Sequence, residues 1–178
     1  VKSEDNVARW HILAAKEERY AQQQLKLGAS GVSVVQITLN LPGGFTMYPW
    51  EKLLTAARAE VHAMLADLGV ELVSESRLVN ALGPCHLMAV LADGHTLKQH
   101  CIALEETATQ GRLWDIDVIT RRGAVNRHSL GLKGRMCWVC EQEEAHVCRL
   151  LRAHAADEVI AIAKKIAVWG TCINDCAS

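Results

Sequence analysis

Two aspartates, Asp115 and Asp117, interrupt the stretch GRLWDIDVI at residues 111–119. Its Leu, Trp, Ile and Val residues read as a β-strand. Side chains alternate across a strand, so both carboxylates fall on one face while Trp114, Ile116 and Val118 go to the other. Same-face neighbours have Cα atoms roughly 6.5–7 Å apart. At that spacing two carboxylates repel each other unless a cation joins them. Mg2+ takes a few carboxylates plus waters and substrate phosphates, so the pair makes half a cage for a phosphorylated ligand. Gly111 permits close approach by a phosphate, and Arg112, Arg121 and Arg122 bring positive charge to the two ends of the strand. The bland alternative is a D-x-D merely solvated on an open sheet face, since short matches are common.

Seven cysteines stand at 85, 101, 137, 140, 148, 172 and 176. Cys137 and Cys140 form C-x2-C, the knuckle of many tetrahedral zinc sites. Spacing alone also permits three buried thiols. His146, beside Cys148, competes as a ligand. Cys85 and Cys101 read as core, as buried free cysteines usually do, and Cys172 and Cys176 are given no role. The odd count and the absence of a secretory signal favour reduced thiols over a disulfide framework.

The elements that must position these groups follow from periodicity. Residues 4–27 read as a helix: Trp10, Leu13, Ala14, Ala21 and Leu25 recur at helical spacing, while Lys16, Arg19 and Gln23 share another face. VSVVQITLN (32–40) is a compact β-branched strand, broken by LPGG. Pro49 opens a second helix with Trp50, Leu53, Leu54, Ala57, Val61, Met64, Leu65 and Leu68 on its apolar side. Residues 70–79 and 85–92 form a strand pair. A third helix spans about 95–108, with Leu97, Cys101 and Leu104 inward. Residues 120–136 are irregular and basic, and a last helix covers about 153–168. Trp10, Trp50 and Trp138 read as packing residues rather than base-stacking ones.

From 32 to 119 the order is βαββαβ, which predicts an α+β fold: an antiparallel-type, ferredoxin-like sheet with both helices on one face. An N-terminal helix and a C-terminal Cys-rich subregion flank it. A nucleotidyltransferase-like α/β core is the alternative, because it too carries paired acids on a strand. The 178 residues suit a single domain, with 1–119 as the core and its N-terminal helix, and 120–178 as basic loop, zinc knuckle and final helix. A net charge of -1 argues against a nucleic-acid binder. No apolar run is long enough to cross a bilayer. The start, VKSEDNVARW, is polar and charged, unlike a signal peptide, which points to the cytoplasm.

GRLWDIDVI followed by C-W-V-C, Cys148 and RAH closely resembles the apo-citrate lyase phosphoribosyl-dephospho-CoA transferase family. KEERYAQQQ (16–24), LNLPG (39–43), LGP (82–84), Lys98, Glu105, LGL (130–132), Arg135 and Arg152 match that family's motifs in order. The chain departs from it at four places. Thr46 stands for a lysine, Cys85 for an acid, Ala108-Thr109-Gln110 for H-P-L, and Leu150 for an arginine. The resemblance implies Cys148 and His154 as third and fourth ligands of a structural Zn2+ with Cys137 and Cys140. It implies an enzyme that moves the phosphoribosyl-dephospho-CoA group from triphosphoribosyl-dephospho-CoA to a serine of the citrate lyase acyl carrier protein (γ) subunit, releasing pyrophosphate. Asp115 and Asp117 would hold Mg2+ and serve catalysis, while Arg19, Lys98, Gly111, Arg112 and Arg135 would contact the substrate. Two other readings stay open: a zinc-knuckle binding module, and an inactive homologue that docks the carrier subunit without transfer.

Overall fold

The computed structural model describes residues 2–28 and 32–169; Cys172 and Cys176 lie outside them. Five strands form one antiparallel sheet in the order β2-β3-β1-β4-β5. The expected βαββαβ order is observed as β1 (Val32–Leu39), α2 (Trp50–Asp67), β2 (Leu72–Asn80), β3 (Gly83–Leu91), α3 (Gly94–Thr107) and β4 (Trp114–Thr120). Helix α1 (Lys2–Lys26) precedes it, and β5 (Gly123–Val125), α4 (Ala145–Leu150) and α5 (Ala156–Trp169) follow.

β1 is the central strand, and its first six residues are all buried. That pattern requires cover on both faces, and its two polar members are satisfied there: Ser33 Oγ donates to the Ala92 carbonyl at 2.8 Å, and Gln36 Oε1 accepts from Gln23. On one face Val35, Ile37, Met88, Val90, Trp114, Ile116 and Val118 pack against α2, α3 and α5. α2 brings Leu53, Leu54, Ala57, Val61 and Leu65 to this core. α3 is started by Asp93, whose carboxylate accepts the Thr96 N–H at 2.9 Å. The opposite face carries a smaller cluster of Val34, Cys85, Leu87 and Ile119 beneath Leu27.

α1 covers that second face in an unexpected orientation. Trp10 is 70% exposed, and Leu13 and Leu25 also face outward, so Trp10 is not the packing residue its type predicts. The reason lies in the sheet surface below. Gln36, Ser74 and Asn80 present polar groups there, and α1 meets them with its own polar side. Gln23 Nε2 donates to Gln36 Oε1 at 2.8 Å, Lys26 Nζ to Ser74 Oγ at 3.2 Å, and Asn80 Nδ2 to the Ala15 carbonyl at 3.1 Å.

Smaller differences concern short pieces. Residues 111–113 form a 3-10 turn, so the strand begins at Trp114. β5 and α4, with three and six residues, lie within stretches read as loop; neither spans enough residues for a period to register. None of the described helices is long and apolar enough to cross a membrane.

Candidate active site

β4 holds the acid pair. It pairs with β1 so that Asp115 lies opposite Thr38 and Asp117 opposite Gln36, and both carboxylates fall on the sheet face that α1 half covers. Their side chains are 49% and 43% exposed, respectively, so the pair is neither sealed inside nor free on an open surface. Partial burial, and then the Asp115 charge, raise the Asp117 carboxyl above the usual carboxylate range. Each acid has a cation at its side. Arg135 Nη2 lies 3.3 Å from Asp115 Oδ1, and Lys98 Nζ lies 3.9 Å from Asp117 Oδ1.

These cations are held by an arrangement at the edge of β4. β5 pairs only with Val118, Ile119 and Thr120. Below it, two α3 side chains take the place of a strand: Lys98 Nζ donates to the Ile116 carbonyl at 2.6 Å, and Glu105 Oε1 accepts the Ile116 N–H at 2.8 Å. Glu105 is 3% exposed. It also pairs with Arg135 Nη2 at 2.5 Å and Arg127 Nη2 at 3.2 Å. A buried charge of this kind is tolerable because both carboxylate oxygens are paired, one with Arg135 and the Ile116 N–H, the other with Arg127. Glu105→Gln should lower the unfolding free energy by about 3 kcal/mol, since Arg127 and Arg135 lose their buried counter-charge. Urea denaturation checks this, and an unchanged midpoint would rule the clamp out.

Asp115 and Arg135 line a cleft of about 840 Å3, sized for a nucleotide-like ligand. Its walls are Leu39, Asn40, Pro42 and Gly43 at and after the end of β1, the start of α5, and the cysteine loop with Arg149 and Arg152. Of the other residues picked out from the sequence, Lys98 is buried at β4 and does not reach the cleft. Gly111 is buried too. A Cβ there would lie 2.6 Å from the Leu104 and Glu105 carbonyl oxygens, so its glycine is explained by the close pass of the turn over the end of α3. Arg112 lies 5.7 Å over the Trp138 ring and donates to the Met136 carbonyl at 2.9 Å, bracing the loop that carries Arg135. Arg19 stands two strands away, donating to the Gly83 carbonyl at 3.2 Å. Its Nε is buried without an acceptor. Cys85, where the resembled pattern has an acid, lies within reach of that guanidinium; burial raises its thiol and Arg19 offsets part of the rise.

Cys137, Cys140, Cys148 and His154 converge, with all four ligand atoms within 4.8 Å of one another. The Cys140 and Cys148 sulfurs are 3.7 Å apart. Zn–S bonds of about 2.3 Å at the tetrahedral angle would put two sulfurs about 3.8 Å apart. His154 Nε2 is buried with no hydrogen-bond partner, and the Glu158 carboxylate lies 4.0 Å from Nδ1 on the other side of the ring. The Val139 N–H points at Cys137 Sγ, 3.5 Å away. Positive φ at Glu141 and Arg152, 52° and 50°, closes the turns at either side of the cluster. Backbone N–H groups of Gln142 and Glu143 pull the Cys140 thiol down to about 6, while burial and the two other thiols push Cys148 up to about 12. The group can hold a metal such as zinc. His146 is not in it: its Nδ1 lies 3.1 Å from Glu144 Oε2.

Arg127 and Arg149 belong to this neighbourhood but carry no sequence pattern. Glu105 had a signal that was open to reading. Lys98 and Glu105 sit seven residues apart on the stripe that also bears Cys101 and Ile102, and charges on a buried stripe must have partners inside.

A family model described as apo-citrate lyase phosphoribosyl-dephospho-CoA transferase matches residues 7–168. Curated proteins of that name from Shigella boydii serotype 18 and Escherichia coli strain SE11 are each 30% identical over 151 residues, covering 84% of this chain and 82% of theirs.

Proposed function

Since the chain belongs to the apo-citrate lyase phosphoribosyl-dephospho-CoA transferase family, whose members are transferase enzymes, we propose that it transfers the phosphoribosyl-dephospho-CoA group from triphosphoribosyl-dephospho-CoA to a serine of the citrate lyase acyl carrier subunit, releasing pyrophosphate. The observation that carries this reading is the convergence of Asp115, Arg135, Arg149 and Arg152 on one cleft. An acid pair beside several guanidinium groups is what a polyphosphate donor and its divalent cation require.

The oxygen-only donor set of Asp115 and Asp117, half open and mutually repelling, fits Mg2+. Bound there, the ion would supply charge neutralisation on the phosphate oxygens and the leaving pyrophosphate. Arg135, Arg149 and Arg152 bind the triphosphate. Asp117 orients the serine hydroxyl and accepts its proton as the Oγ–phosphorus bond forms and the bond from the α-phosphorus to the β-phosphate oxygen breaks. Lys98, Glu105, Gly111 and Arg112 act through position. The first two hold β4, and the others hold the turn and loop beside it. Arg19 holds the β2–β3 turn. Zinc at Cys137, Cys140, Cys148 and His154 pins the loop that forms one cleft wall.

Leu150, where the resembled pattern has an arginine, is exposed, while the adjoining Arg149 lines the cleft and keeps a guanidinium at that wall. Mixing the protein with apo carrier subunit, Mg2+ and the triphosphoribosyl precursor should add the mass of the prosthetic group to the carrier and release pyrophosphate in equal amount. Carrier binding without mass gain would overturn transfer in favour of docking alone. Neither binding nor transfer would leave a zinc-knuckle module.

A further inference from the structure

Two openings reach the acid pair, from opposite ends of β4. The basic cleft ends on Asp115, beside the residues that follow β1. At the other end a groove of about 520 Å3 runs between α1 and the β4–β5 hairpin and ends on Asp117. Tyr20 and Gln24 of α1 form one wall, Arg122 and Ala124 the other, and Gln36 the floor. Gln36 is fixed by the Gln23 amide at 2.8 Å. The Arg121 guanidinium at the rim is tied to backbone, donating to the Leu27 and Gly28 carbonyls at 3.1 and 2.6 Å. The amides of Gln23, Gln24 and Gln36 and the Tyr20 phenol line the groove beside Arg122, and such groups can donate to and accept from a peptide backbone. The cleft is lined by arginines, which suit phosphate.

Phosphoryl transfer places the attacking and leaving oxygens roughly in line, on opposite sides of the phosphorus. With pyrophosphate held by guanidinium groups at the Asp115 end, the attacking hydroxyl has to come from the Asp117 end. We infer that the groove between α1 and the β4–β5 hairpin receives the serine-bearing segment of the acceptor polypeptide, while the cleft holds the nucleotide donor. This rests on the transfer reading and adds where each substrate enters. The serine proton passes to Asp117 and then to water, and pyrophosphate departs through the cleft.

Gln24→Trp and Ala124→Trp fill the groove from its two walls. Both positions face solvent, and neither substitution touches Asp117 or the cleft. The measurements are the KM for apo carrier subunit in the transfer assay, and the Kd of the donor titrated without carrier. The expected result is a carrier KM raised roughly tenfold or more in both variants, equivalent to at least about 1.4 kcal/mol, with donor Kd within about twofold of the parent. An unchanged carrier KM in both variants, or a donor Kd that rises in step with it, overturns the assignment of the groove alone. An unaltered protein that transfers nothing takes down the transfer reading and the groove with it.

Discussion

Asp117→Asn should reduce transfer about a thousandfold or more, the scale expected when charge preorganised around a reacting centre is removed, and yet melt no lower than the parent. Both halves of this result come from one cause. In the fold, partial burial and the Asp115 charge disfavour the ionised Asp117 carboxylate, raising its pKa. An acid whose folded-state pKa lies above its unfolded one destabilises the fold once the pH exceeds that raised value, and the penalty disappears below the unfolded pKa. At neutral pH the asparagine removes the penalty together with the proton acceptor and cation ligand. Asp115→Asn should lose transfer to a similar degree, though it gives up the Arg135 contact as well. The checks are mass added to the carrier subunit and a thermal melt of each variant. Near-parental transfer by either variant would remove the acid pair from the mechanism. Lost transfer accompanied by a markedly lower melting temperature would mean that the pair serves the fold instead.

Stripping the metal from the Cys137, Cys140, Cys148 and His154 group should lower the melting temperature by about 10 °C or more and abolish transfer. A structural zinc site contributes folding free energy directly. For a chain of this size each 1 kcal/mol shifts the melting temperature by about 2–4 °C, and losing several kcal/mol at a closed site gives the figure above. The loop from Cys137 to His154 has no extended core of its own. Its buried residues are Cys137, Trp138 and Cys148, so without the ion three thiols and an imidazole would have to satisfy one another. Arg149 and Arg152 lie on this loop, which is why activity should fall with stability. Freshly purified reduced protein should carry one equivalent of zinc per chain by elemental analysis, and Cys140→Ser should reproduce the effect of chelation. Protein without zinc, or a chelated chain that melts and transfers as before, would defeat the idea.

The elements that bury grease were legible in the sequence, and those held by polar contacts were not. α2 and α3 advertise a stripe at helical spacing, and β1 a β-branched run, because what those residues do is enter the core. α1 broke the rule: the same kind of stripe, with Trp10 in it, faces outward because the sheet below offers amides and hydroxyls. Around the acids, the spacing of Asp115 and Asp117 along a strand already placed both on one face. Sequence could not show that Arg135, twenty residues on, comes to lie against Asp115, nor that Glu105 from the preceding helix would hold it there. Lys98 is assigned to substrate through the resemblance alone; its buried place against the Ile116 carbonyl is set by how α3 lies along β4, which no pattern in the sequence displays. The four residues able to hold a metal were named through family resemblance and ligand spacing, and chelate geometry limits how such residues can be arranged.

The sheet has two borders, and they differ in their tendency to recruit another chain. At β4 and β5 the border is a three-residue strand followed by the buried Lys98 and Glu105, which already occupy the backbone positions an incoming strand would need. At β2 it is nine residues long, with Leu72, Val73 and Val79 exposed. Strand-on-strand growth, whether domain exchange or the first step of aggregation, is therefore steered to β2. The border beside the acids is shielded from self-association by the same two side chains that keep β4 in place.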